Sequence, residues 1–345
     1  MWVAPKSGRK AVALSRARVR VSGVGISIER RAAVRRGGFR NLRFRFLALF
    51  AALAVIVVFG GVIVSLGDGA WDAIKAFGLK FFYTQSWNPV TDAYGALAPI
   101  CGTLITSFIA MLFAVPIGIG IAIFLTEMCP RPLRRPIGIA IELLAGIPSI
   151  IYGIWGLFVF APFFQSHIQP AVIELCEDIP VLRDLFAGPP YGIGVFTASL
   201  ILSIMILPSM ASVTRDVFGT VPATLKEASY ALGSTTWETV WHVVLPFSRT
   251  GVVGAAMLAL GRALGETMAV TFVIGNAHRI HASLFAPGTT ISASIANEFA
   301  EAVGGLYSSS LIYMGLILFF LTFVVLAAAQ LMLRALAARA GGVAP

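Results

Sequence analysis

Charge is scarce in this chain. Only 12% of its 345 residues are Asp, Glu, Lys or Arg, against about 25% in a soluble domain, which excludes an ordinary water-facing surface. Cysteine is scarcer still. Cys101, Cys129 and Cys176 are the three present, and none forms a Cys-x-x-Cys pair, so neither a disulfide framework nor a zinc site is indicated. The four histidines, His167, His242, His278 and His281, all fall outside the apolar runs. There is no Gly-x-Ser-x-Gly elbow, so a serine hydrolase lacks its nucleophile and base. His278 and His281, with Arg279 between them, read as a solvated loop rather than a metal site. The Gly-x-x-x-x-Gly-Lys-Ser/Thr phosphate loop is also missing. The chain is therefore expected to do no chemistry and to need no cofactor of its own.

Apolar residues are abundant: 58% of the total, with a mean hydropathy of +0.87. Six runs approach the roughly 20 residues that cross a bilayer as a helix: Leu47–Leu66, Leu97–Leu125, Ile137–Phe163, Ile193–Val213, Gly251–Ile274 and Leu311–Leu333. They are continuously apolar rather than alternating, which favours helices over barrel strands. The expected fold is an all-α polytopic membrane protein with six transmembrane helices. Its expected organisation is a basic leader over 1–46, a first helix over 47–66 and a loop over 67–96. A transmembrane domain over 97–334 then contains a polar loop at 214–250, and a tail occupies 335–345.

The loop charges alternate. Arg131, Arg134 and Arg135 follow the second run, Arg215, Lys226 and Arg249 the fourth, Arg334 and Arg339 the sixth. The intervening loops carry Asp68, Asp72 and Asp92, then Glu174, Glu177, Asp178 and Asp184, then Glu298 and Glu301. The bias of Lys and Arg toward the inner side places both termini and the polar loop in the cytoplasm. From Lys6 to Arg45 the one acid is Glu29. This leader reads as an inner segment obeying the same bias rather than a nucleic-acid binder.

Within the polar loop, Thr220 and Pro222 suit a helix start. Leu225, Ala228 and Leu232 share a helix face, and Gly233 fits a left-handed C-terminal cap. Thr235 and Glu238 form a capping box for a second helix. Trp237, Val240, Trp241 and Val244 make an apolar stripe, which Leu245-Pro246 is expected to end. A helix–Gly–helix hairpin follows.

Gly261-Arg262-Ala263-Leu264-Gly265-Glu266-Thr267 lies inside the fifth run. A charge at a helix centre costs about 2.5–3.5 kcal/mol on insertion scales. In a continuous helix Arg262 and Glu266, four apart, share a face and can pair. Either the pair fixes helix register, or Arg262 offers its planar donor fork to a passing oxyanion while Glu266 balances the charge. Glu142, in the third run near Pro148 and Ser149, is a further intramembrane acid and a candidate partner for Arg262.

The string Glu227-Ala228-Ser229, Gly233, Val243 and Leu245-Pro246 resembles the EAA loop of permease subunits of binding-protein-dependent ABC importers, with Ser229 where many have Ala. The resemblance implies that this loop docks on a separate ATPase through Glu227, Ala228, Gly233, Leu245 and Pro246. Further segments resemble the phosphate-importer permeases of the PstC type: Gly261–Thr271 with Ile274-Gly275-Asn276, Ile141–Ala145 with Ile147-Pro148-Ser149, Ala296–Glu301, Asp92–Leu97 and Arg215–Phe218. That resemblance implies transport of inorganic phosphate across the bacterial inner membrane, with Arg262 and Glu266 along the path; Glu142, as a further intramembrane acid, is expected there too. It also implies a PstA-type second permease, a PstB-type ATPase dimer that binds ATP and Mg, and a PstS-type periplasmic binding protein. Lipid is the expected surroundings and nucleic acid is no partner. The alternatives are an importer for another oxyanion such as sulfate, and an ATP-independent anion channel or carrier.

Overall fold

The structure is a computed structural model describing residues 44–339, with side chains to 334; most of the basic leader lies outside the described residues. Two compact units divide at Ser65. The first contains most of helix α1, Phe44–Gly69, whose apolar side chains, Phe46, Phe50 and Val58 among them, are exposed.

In the second unit the short helix α2, Trp71–Phe77, leads to the second apolar helix α3, Leu97–Met128. Helix α4 covers Arg131–Ala145 and α5 covers Ser149–Cys176. The short α6, Pro180–Leu185, precedes α7, Val195–Gly219, and α8, Ala223–Ala231. Helix α9 runs Thr236–Leu264, α10 Met268–Thr271, α11 Ile291–Glu298 and α12 Gly305–Arg339. Six of these, α1, α3, α5, α7, α9 and α12, are long and apolar enough to cross a membrane.

Helices α3 and α7 form the central pair. In α3, Ala110, Ala114 and Gly118 recur every four residues on one face, so the backbones approach closely. A Cβ on Gly118 would lie 2.7 Å from Met210 Cγ. The core there joins Ile201, Leu202, Met205 and Ile206 of α7 to Val270, Val273 and Ile274. Gly153 and Gly156 of α5 meet Met268 and Ile201 in the same way, whereas Gly120 faces open space. Buried hydroxyls on α3 bond back along their own helix: Thr103 donates to the Pro99 carbonyl and Thr106 to that of Gly102, both at 2.8 Å.

Two expected spans differ in extent. The third does not cover Ile137–Phe163: α4 stops at Ala145, and α5 starts afresh at Ser149. Gly146 closes α4, and Pro148, extended at ψ 136°, opens α5. Proline can begin a helix but removes a ladder bond inside one, and it biases its predecessor away from helix. The fifth span starts earlier and ends earlier than Gly251–Ile274. Pro246 does not end the preceding helix, because a wide π turn over Val240–Val244 leads directly into Leu245–Leu264. Such turns interrupt the regular ladder, so a missing N–H is accommodated beside one. At the far end the helix stops at Leu264, before Glu266.

Candidate functional site

The hairpin is built as its sequence dictates, with one change at its entry. Thr220 closes α7 rather than opening α8: its hydroxyl donates to the Val217 carbonyl at 2.7 Å. Helix α8 instead follows Pro222. Gly233 has φ +87°, with nothing within 4 Å of a built Cβ, so the conformation and not the space requires glycine. The Ser234 N–H reaches back to the Ser229 carbonyl at 3.2 Å. The capping box is present: the Glu238 carboxylate accepts from the Thr235 N–H at 2.8 Å, and the Glu238 N–H donates to the Thr235 hydroxyl at 3.3 Å.

The apolar stripe divides between two environments. Val240 and Val244 are buried, while Trp237 and Trp241 stack at 5.8 Å and stay 67% and 57% exposed. No residue of α8 is buried, and Leu232 is 88% exposed. Two polar contacts hold α8. The Ser229 and Thr239 hydroxyls are 3.0 Å apart, and Lys226 Nζ donates to Glu127 at 2.6 Å. Glu227 and Ala228 are exposed on the same helix; Leu245 and Pro246 lie at the entry to the long part of α9.

The second group surrounds the break after Leu264. The Arg262 guanidinium is exposed and close enough to the Tyr152 phenol for electrostatic interaction. Among the described residues it makes no ion pair. The expected pairing with Glu266 is absent because the helix ends between them at Gly265, destroying the four-residue register. Glu266 instead turns onto the next element, accepting from the Ala269 N–H at 3.3 Å, a carboxylate at the start of α10. Its main-chain carbonyl accepts from Ser292 at 2.7 Å. Helix α11 docks here, its Ile291 N–H donating to Thr103 at 3.0 Å and its start capped by Thr290. Short helices with irregular backbone between long spans are tolerated in a bilayer only where protein covers them or a wet cavity adjoins.

Glu142 belongs to neither group. It lies on α4, half exposed, and accepts from Arg215 at 2.7 Å rather than from Arg262. Arg215 passes close by Gly138: a Cβ there would lie 2.7 Å from Nη1.

At the opposite end from the hairpin, three other segments converge on Glu298 of α11. It accepts from Trp87 at 2.6 Å, His278 at 2.8 Å and Tyr307 at 2.8 Å, and Trp87 lies flat on His278 at 4.8 Å. His278 is thus half-buried and engaged, not solvated. Burial pushes the Glu298 carboxyl up, but donation from His278, Tyr307 and Trp87 outweighs it and holds it below its ordinary value. Burial, then Asp92, pushes the nearby Tyr94 phenol up to about 12.

Residues 114–340, which contain the hairpin and the break after α9, match the family described as binding-protein-dependent transport system inner membrane component. The chain belongs to this family. Among curated relatives, the phosphate transport system permease protein PstC of Mesorhizobium japonicum is 63% identical over 312 residues, covering 90% of this chain and 95% of its own. The protein of the same name in Haemophilus influenzae is 56% identical, with 83% and 90% covered. A probable phosphate transport system permease protein PstC of Methanocaldococcus jannaschii is 38% identical, with 82% and 90% covered. Among solved structures, the inward-facing MetNI methionine ABC transporter gives a TM-score of 0.50 at 19% identity, covering 69% of this chain and 94% of that one. A bacterial ABC transporter that imports alginate gives 0.50 at 18%, covering 76% and 88%. Both likenesses concern the fold. With six apolar helices and this family membership, the chain is an integral membrane protein of a transport system.

Sequence reasoning missed Lys226 with Glu127, Ser292 with Glu266, and the gathering on Glu298. The last had a partial signal: Trp87, Tyr94, His278 and Tyr307 are aromatic or imidazole residues flanking spans, but nothing local specified that they meet.

Proposed function

We propose that the chain is the permease subunit of an ATP-driven importer of inorganic phosphate. The observation that carries this reading is the exposed α8 hairpin, with the Glu227-Ala228-Ser229…Gly233 spacing, on an integral membrane bundle of this family. The substrate assignment rests on relatives named as phosphate permeases. The hairpin faces the cytoplasm with both termini and docks on a separate ATPase subunit that holds ATP and Mg. A second permease subunit completes the path in the inner membrane, and a periplasmic binding protein delivers the anion. ATP-driven closure of the ATPase moves α8, and the bundle alternates its opening as a bistable element.

The residues proposed to meet the anion are Arg262 and Glu266. The Arg262 guanidinium, without an ion pair among the described residues and beside irregular backbone, supports this, because a planar fork of donors matches a tetrahedral oxyanion. Glu142 is reassigned, as a proposal, to the clasp between α4 and α7. The test is uptake of labelled phosphate and sulfate in a strain lacking the gene and complemented with it. Phosphate uptake restored by the gene is the expected result; restoration of sulfate uptake alone would overturn the substrate. Co-purification of an ATPase with the wild-type chain, lost in Gly233→Trp, tests the docking.

A further inference from the structure

Helix α8 has no buried residue, so a push on it reaches the spans largely through specific ties among the described residues. Three of them are covalent neighbours or hairpin-internal: the root at Val221, the Gly233 turn and the Ser229–Thr239 hydroxyl pair. The fourth joins α8 to a different span. Lys226 Nζ lies 2.6 Å from Glu127, whose side chain is 7% exposed and that of Lys226 19%. Glu127 sits in the wide π turn Phe124–Met128 that ends α3. The same turn is gripped from the other side, where Arg134 of α4 donates to the Thr126 carbonyl at 2.6 Å. Helix α3 is the main packing partner of α7 in the centre of the bundle.

We infer that the Lys226–Glu127 ion pair is the strut that carries displacement of α8 into α3, making both positioning residues for energy coupling. A surface pair would be too weak and too loose to transmit force, being solvated and entropically mobile. This pair is largely excluded from water, so breaking it by removing one partner leaves a shielded charge uncompensated. The π turn adds a local interruption of regular helix where α3 can flex, as such turns do at functional positions. Lys226 follows Glu127 by 99 residues of sequence, so the tie spans the hairpin and the bundle rather than stiffening the hairpin itself.

The inference rests on α8 being the element the ATPase drives. It is tested in the assembled complex in proteoliposomes, reading phosphate imported per ATP hydrolysed alongside ATPase co-purification. Lys226→Glu and Glu127→Lys should each lower that ratio about tenfold, within the range of coupling between touching side chains, while the ATPase still co-purifies. The swap, Glu127→Lys with Lys226→Glu, should recover most of it, and Lys226→Arg should retain it. An unchanged ratio in both single variants would overturn the strut. So would a swap that fails to restore the ratio, or single variants that lose the ATPase, which would make the pair a folding element. Failure of the docking reading looks different: the wild-type chain itself would then bring down no ATPase.

Discussion

Gly233 and Arg262 owe their roles to opposite properties, one to backbone and one to side chain. At φ +87° a Cβ destabilises the left-handed turn by about 1–2 kcal/mol. Gly233→Ala should therefore lower the thermal unfolding midpoint of the purified protein slightly and weaken ATPase co-purification. Gly233→Asn, which tolerates that conformation better, should do so less. Equal losses for Ala and Asn would mean that the turn is not the sensitive feature. Arg262 has no carboxylate partner among the described residues, so its charge is available to a solute. Arg262→Gln should abolish uptake while the complex assembles in normal amount; loss of assembly would instead assign Arg262 to structure. Arg262→Lys keeps charge but loses the planar fork, and intermediate uptake is the expected result.

Between elements, the break after α9 is the feature most open to test. Gly265 has only an ordinary 3.7 Å contact waiting for a Cβ, so alanine fits, and in a helix alanine is favoured over glycine by about 1 kcal/mol. Gly265→Ala should extend α9 toward Glu266 and restore the four-residue spacing to Arg262. The expected outcome is reduced uptake with undiminished thermal stability; normal uptake would show that the break need not be kept. At the other end, Glu298 ties the segment carrying Trp87, the loop carrying His278, α11 and Tyr307 of α12. Arg279 lies beside His278 in sequence, and Asp92, Tyr94 and Glu301 also surround the cluster. The Glu298 carboxyl is held below its ordinary value of 4.5, so its stabilisation is fully present above that value. It is lost as pH falls through the lowered one. The unfolding midpoint of wild type should thus exceed that of Glu298→Gln at about pH 6, where an unpaired carboxyl is ionised, and the two should converge under strong acid. A gap independent of pH would reject the carboxylate's role.

At the scale of the molecule, Phe50, Phe108, Phe158 and Phe320 on four long helices are exposed, at 72%, 68%, 72% and 63%. Such faces are suited to lipid or to other membrane helices rather than to water. The chain reconstituted alone should show no phosphate uptake above empty vesicles, and uptake should appear with its ATPase and second permease. Full-rate transport by the isolated chain would overturn the importer reading altogether.

Apolar run length and charge punctuation marked six spans, since a bilayer demands about 20 apolar residues and internally bonded backbone whatever the neighbours. The turn at Gly233 and the box of Thr235 with Glu238 were equally legible, because capping is decided within one helical turn. The fate of Pro148, Pro246 and Gly265 was not. Each is compatible with a kink, a stop or a start, and the packing around it selects among them. The partners of Glu142, Glu127 and Glu298 lie 73, 99 and as many as 211 residues away. Local propensity carries no information about such meetings; only the folded bundle, by bringing distant charges within reach of one another, decided which of them pair and left Arg262 without a carboxylate among the described residues.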